Sequence, residues 1–295
     1  MIRKRPSATS LITTTRNQDW QSSNNEIMDT LFLKLGGSLI TDKTKVERVR
    51  HDVLTRLVEE IAQARRENPA LRLVLGQGSG SFGHVAAAKH GTRHGVTDAA
   101  GWRGFAEVSD AAARLNRMVV SELLLVGVPA VSLSPSASVG CVDGRIQTIA
   151  VQPVQAALAA GLVPVVYGDV AFDSVRGGTI VSTEEVMMAL VAEIRPSWLL
   201  LAGETTGVYD LEEQVISRIS RANYAEIEAA LGGSRGTDVT GGMASKVQSM
   251  LALVDAFPQL AIRIFSGLEP GNLAQTLLNP AEAGGTLLTA STLNE

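Results

Sequence analysis

A chain of 295 residues that is 45% hydrophobic and 19% charged can bury a substantial core, as one large α/β domain or as two lobes. Its net charge of −4 and the lack of a basic stripe exclude a nucleic-acid-binding footprint, and its one cysteine, Cys141, excludes an internal disulfide. No Cys/His cluster has zinc spacing and no apolar run approaches the roughly 18–20 residues that cross a bilayer, so the chain reads as a cytoplasmic protein without a membrane partner.

The first 27 residues stand apart. They carry a net +2, eight Ser/Thr residues and no apolar period, which predicts a disordered extension with Met28 as the natural beginning. From Leu31 onward, strand-like runs alternate with helical patterns. Leu31–Lys34 is followed by Val46, Val49, Val53, Leu57, Ile61 and Ala64, which share one helical face that ends before Pro69. Leu71–Leu75 is the next strand, and a long helix covers Ala111 to Val126, stopped by Gly127 and Pro129. Pro129–Leu133 and Leu162–Tyr167 then read as buried strands. Asp173 to Gly178 reads as a hairpin turn leading into the strand Thr179–Val181, after which Thr183 caps a helix. Trp198–Ala202, Ala261–Phe265 and Thr286–Thr289 complete the strand series. Such alternation predicts an open, mainly parallel sheet covered on both faces, with ligands gathered at the carboxyl ends of its strands. A lobe boundary falls near Ser182, and with no Pro-rich linker there the lobes are expected to share one sheet.

Two glycine-rich turns leave strands and open helices: Lys34-Leu-Gly-Gly-Ser38, and Gly76-Gln-Gly-Ser-Gly-Ser-Phe-Gly-His84. The first has neither P-loop nor dinucleotide-fold spacing, and a Gly-Gly-Ser alone reads more commonly as a tight turn than as a cradle. Bare N–H groups at a helix start with a lysine beside them nevertheless make an anion cradle, and two such turns suggest two phosphate groups held face to face. Lys43 lies close enough in sequence to reach back to a phosphate. His84 ends the second loop, where an imidazole can donate to a phosphate oxygen. A metal site from His84, His90 and His94 lacks a carboxylate or thiol to complete it, and His51 reads as solvated. Gly236-Thr-Asp-Val-Thr-Gly-Gly-Met-Ala-Ser-Lys246 is a third glycine turn before a helix, which Asp238 or Thr240 would cap. Asp169 sits at a strand end, as a carboxylate that binds substrate or orients the lysines. Phosphoryl transfer asks for positioning and positive charge rather than a covalent nucleophile, and this inventory supplies both.

Lys34-Leu-Gly-Gly-Ser38 with Ile40-Thr-Asp-Lys43, Gly-Ser-Gly-Ser-Phe-Gly-His84, Tyr167-Gly-Asp169 and Asp238-Val-Thr-Gly-Gly-Met-x-x-Lys246 resemble the isopentenyl phosphate kinases of the amino acid kinase superfamily, over about Leu31 to Thr289. The resemblance implies a three-layer αβα sandwich of the acetylglutamate kinase type, usually a homodimer. Residues 28–182 would bind the isoprenoid monophosphate acceptor and residues 183–295 would bind ATP, with Mg²⁺ held mainly by the nucleotide phosphates. It implies that Lys34, Gly36, Gly37 and Ser38 hold the transferring phosphates, that Lys43 steadies the transition state and that Lys246 neutralises the nucleotide phosphates. Gly78, Gly83, His84, Gly168 and Asp169 would line the acceptor site, with Ser79 facing ATP. Glu184, Glu204, Gly207, Tyr209, Gly241 and Gly242 would complete the nucleotide site. Phe82, Val85, Ala86, Ala87, Phe105, Val108 and Ala112 could wall a dry tail pocket or simply pack the core. The chain departs from the family pattern at Gln77, where relatives often carry His, at Gly203-Glu-Thr-Thr-Gly-Val-Tyr-Asp210 and at Thr183-Glu-Glu185. Two other readings share the fold: a kinase acting on a phosphonate, as fosfomycin kinases do, and a non-catalytic oxyanion-storage protein.

Overall fold

The computed structural model describes residues 30–231 and 242–290, so the expectation for residues 1–27 and the Asp238 or Thr240 cap lie outside the described residues. In chain order the first half holds β1 (Thr30–Leu35), α1 (Gly37–Ile40), α2 (His51–Glu67), β2 (Arg72–Gln77), α3 (Gly80–His90), α4 (Ala99–Leu125) and β3 (Ala130–Ser132). Then come α5 (Pro135–Ser138), β4 (Val139–Val142), β5 (Arg145–Ile149), α6 (Gln152–Ala159), β6 (Val163–Tyr167), β7 (Asp169–Asp173) and β8 (Gly177–Val181). The remainder holds α7 (Thr183–Ile194), β9 (Trp198–Gly203), β10 (Arg218–Ile219), α8 (Tyr224–Leu231), α9 (Gly242–Ala256), β11 (Ala261–Ser266), α10 (Asn272–Leu278) and β12 (Thr286–Leu288).

Eight strands form one sheet in the order β10-β12-β11-β9-β1-β2-β6-β3, in which β3, β6, β2, β1, β9 and β11 run parallel. Period-two alternation makes it the middle layer. Leu31, Leu33 and Leu35 of β1 enter a core shared with α2, α4 and α10, while Phe32 enters the opposite core shared with α6, α7, α8 and α9. The chain builds outward from β1 through β2 on one side and through β9 on the other, so the switch in strand order falls beside β1. A second sheet, β5-β4-β7-β8, carries the hairpin that the sequence predicts after Asp173.

Four local expectations change, the first being that the long helix expected from Ala111 begins at Ala99, where Asp98 caps it by accepting the Gly101 amide at 2.7 Å. The first long helix starts at His51 rather than near Val46: Val46 is 68% exposed, and Val49 forms an antiparallel bridge to Thr41 that holds the intervening segment as a loop. Helix α7 is capped by Ser182, not Thr183. Ser182 Oγ accepts the Glu185 amide at 3.1 Å, and Glu185 Oε2 accepts the Ser182 amide at 2.6 Å. Strands β4 and β5 are absent from the sequence reading. Their signal is the Asp143-Gly144 turn, where both residues have positive φ.

Candidate active site

The two glycine turns emerge from adjacent parallel strands and meet. The Gly36 amide donates to Ala202 O at 2.8 Å at the end of β1, and the Gly78 amide donates to Leu35 O at 2.9 Å at the end of β2. A Cβ on Gly37 would lie 2.6 Å from the Gly80 amide nitrogen, and one on Gly78 would lie 2.6 Å from the Gly37 amide nitrogen. The loops are thus in backbone contact, and any side chain at these positions would wedge them apart. Gly80 also has φ +48°, in the left-handed region.

Charge gathers at the carboxyl end of β1. Lys34, 8% exposed at the end of β1, forms an ion pair with Glu184 Oε1 in the first turn of α7. Lys246, in the second turn of α9, approaches the same oxygen at 4.0 Å. Burial lowers the Lys34 pKa from its ordinary value; Glu184 opposes that fall, while Lys246 and Lys43 deepen it. Glu184 moves below the usual carboxylate range. Burial is the largest single influence and pushes it up, but Lys34 and then Lys246 together outweigh it. One carboxylate therefore holds two cations at the mouth of the loops. Lys43 is exposed on the loop after α1, near enough for Lys34 to feel its charge, and Ser38 is half-buried within α1.

In the second loop, Ser79 stands at the N-cap position of α3, with Gly83 and the exposed His84 in the turns that follow. Gly168 lies against the start of α7, where a Cβ would come within 3.3 Å of the Thr183 amide nitrogen, and Thr183 Oγ1 donates to Gln77 O at 2.6 Å. Asp169, 1% exposed, is turned away from the lysines: it accepts from Ser134 Oγ at 3.1 Å, the Ser136 amide at 3.3 Å and the Val170 amide at 2.8 Å. Glu204, Gly207 and Tyr209 follow β9. Glu204 accepts from Arg50 at 2.9 Å, Gly207 packs against Thr286 and Val215, and Tyr209 is half-exposed. Gly242 is the first residue of α9, and Gly241 lies outside the described residues.

The residues proposed as a tail wall divide. Phe82 belongs to the main core, Val85 is exposed, and Phe105 and Val108 form a small cluster with Val96 and Val170, against which Ala86 of α3 packs. His90 is paired with Glu107 at 2.8 Å, and among the described residues no group of three His, Cys, Asp or Glu side chains could hold a metal ion. Sequence reasoning passed over Arg50, which also reaches Ser38 O at 3.4 Å, and the role of Thr41; only the Ser182–Glu185 spacing of a capping box was open to detection.

The sequence pattern of the amino acid kinase family matches residues 29–266. The chain belongs to the amino acid kinase family. Like other amino acid kinases it is a phosphotransferase, and its relatives narrow the group further. An isopentenyl phosphate kinase of Methanocaldococcus jannaschii is 32% identical over 263 residues, 85% of this chain and 96% of its own. One of Haloferax volcanii is 38% identical over 229 residues, 77% of this chain and 89% of its own. A solved structure of isopentenyl phosphate kinase superposes with a TM-score of 0.74 at 29% identity, covering 88% of this chain and 100% of its own. The three-layer, acetylglutamate kinase-like architecture expected from the sequence is thus that of this amino acid kinase.

Proposed function

We propose that this kinase transfers the γ-phosphoryl group of ATP to isopentenyl phosphate, forming isopentenyl diphosphate for isoprenoid biosynthesis. The observation that carries the reading is the backbone contact between two glycine loops beside the Lys34–Glu184–Lys246 cluster. Two polyanionic groups held on touching loops are within reach of in-line displacement. In this reading Gly36, Gly37, Ser38 and Lys34 hold the donor phosphates, and Lys246 balances their charge. Lys43 enters over the transferring group, and His84 donates to the acceptor phosphate. The acceptor attacks through an oxygen that is already ionised, so the bond to the γ-phosphorus forms as that to the β-phosphate bridging oxygen breaks, without a general base. Residues 28–182 form the acceptor half and residues 183–295 the nucleotide half.

Mg²⁺ would shield the nucleotide phosphates. Glu184 is already engaged by Lys34, which makes it a poor first ligand for a cation, so the ion fits this site best as part of the nucleotide. In this reading the hydrocarbon tail would run toward the apolar cluster against which Ala86 of α3 packs. Among the described residues no helix is long and apolar enough to cross a membrane. A cytoplasmic location, read from composition, and a homodimer, implied by the resemblance, belong to the same proposal. Light scattering near twice 31.1 kDa supports the dimer, and a monomer mass overturns it.

Purified protein with ATP, Mg²⁺ and isopentenyl phosphate should release ADP in a coupled assay. Turnover with a phosphonate but none with isopentenyl phosphate overturns the acceptor assignment.

A further inference from the structure

Thr41 is 1% exposed and touches both glycine loops. Its Oγ1 donates to Gly37 O of the first loop at 2.7 Å and accepts the Ser81 amide of the second at 2.9 Å. Its own amide also donates to Gly37 O at 2.9 Å, so the hydroxyl is held from its own side as well. A Cβ on Gly80 would sit 2.1 Å from this oxygen, which means that the hydroxyl occupies the space that a side chain on the second loop would need. Further ties run the same way: Ser81 Oγ accepts the Arg48 amide at 3.1 Å and Ser81 O accepts the Glu47 amide at 3.4 Å. The segment after α1 therefore grips the start of α3, and one buried hydroxyl lies between the two phosphate-holding backbones.

We infer that Thr41 is a positioning residue whose bridging hydroxyl sets the separation of the donor and acceptor phosphates. The inference rests on the proposed phosphoryl transfer. It predicts a particular signature because each loop would still bind its own phosphate with the bridge gone. What suffers is the alignment of two bound groups, which is expressed in kcat rather than in either KM.

The test compares Thr41→Val, which keeps the shape and loses the hydroxyl, with Thr41→Ser, which keeps the hydroxyl. Thr41→Val should lower kcat by about ten- to a hundredfold with both KM values within about threefold, and Thr41→Ser should stay within about threefold of wild type. Hydrogen exchange at the Ser81 amide, which needs no turnover, should quicken in Thr41→Val and not in Thr41→Ser. An unchanged kcat in Thr41→Val, a change confined to one KM, or a Thr41→Ser enzyme as slow as Thr41→Val overturns the inference. If Thr41→Val does not fold, Thr41→Ala takes its place; failure of both to fold beside a folded Thr41→Ser makes the hydroxyl a folding element and also overturns it. Wild-type turnover is measured alongside. If it occurs only with another phosphate or phosphonate, the acceptor assignment fails and the same comparison is made with that acceptor. If wild type turns over nothing, the proposed function fails, while the exchange rates still report whether the bridge exists.

Discussion

Glu184 joins Lys34 across 150 residues of sequence, and the same carboxylate oxygen lies 4.0 Å from Lys246. The pair sits at the switch in strand order, where β1 places the lysine and the capped first turn of α7 places the carboxylate. Lys34 and Lys246 repel each other, and Glu184 offsets that repulsion.

This arrangement has a pH signature. In the proposed reaction protonated Lys34 is the form that would hold phosphate, so activity should fall as pH rises through its pKa, which burial has already lowered and Glu184 partly restores. Glu184→Gln removes the restoring charge and leaves Lys246 in place. The alkaline limb of kcat/KM should therefore begin at a lower pH in Glu184→Gln than in wild type. Superimposable profiles would detach Lys34 from Glu184.

Gly80→Ala tests the contact of the loops. The new Cβ meets Thr41 Oγ1 and Gly37 O in a backbone conformation that L residues rarely adopt. The expected cost is about 1–3 kcal/mol of stability in urea unfolding, with a larger loss of kcat because the loops must separate. Wild-type stability and rate together would show that the loops are not in contact.

His84→Ala should lower kcat on the order of 10²-fold or more, the size of effect that follows loss of one donor to a reacting oxyanion. His84 is exposed, so the melting temperature should change little. A variant within a few fold of wild type would make the imidazole structural.

Glu60 carries a separate, structural expectation. Buried in α2, it pairs with Arg56 at 2.6 Å and accepts the amides of Gly271, Leu273 and Ala274 at 3.0, 2.9 and 3.1 Å, which closes the start of α10. Glu60→Ala strands these three amides, while the Arg56 guanidinium keeps its bonds to Gly267 O and Leu268 O, so urea unfolding should show a loss of about 3 kcal/mol. A loss below about 1 kcal/mol would mean that solvent satisfies those groups.

Much of the molecule was legible from neighbouring residues alone. Apolar alternation and helical periodicity place β1, β2, β6, β9 and β11 and the three-layer class, because each signal is written within a few residues. The glycine turns and the lysines beside them were legible for the same reason. The departures at Val46 and Thr183 are local as well: a bridge to Thr41 outcompetes a helical pattern, and Ser182 has the better capping geometry. That two glycine-rich turns each leave a strand and open a helix thus follows from the sequence by itself. Only the tertiary structure decided that Gly37 touches Gly80, that Glu184 serves two lysines, that Asp169 is spent on Ser134 and Ser136, and that Thr41 stands between the loops. These relationships join residues up to 150 positions apart, and they depend on which strands become neighbours and in what register, information that no short stretch of sequence contains.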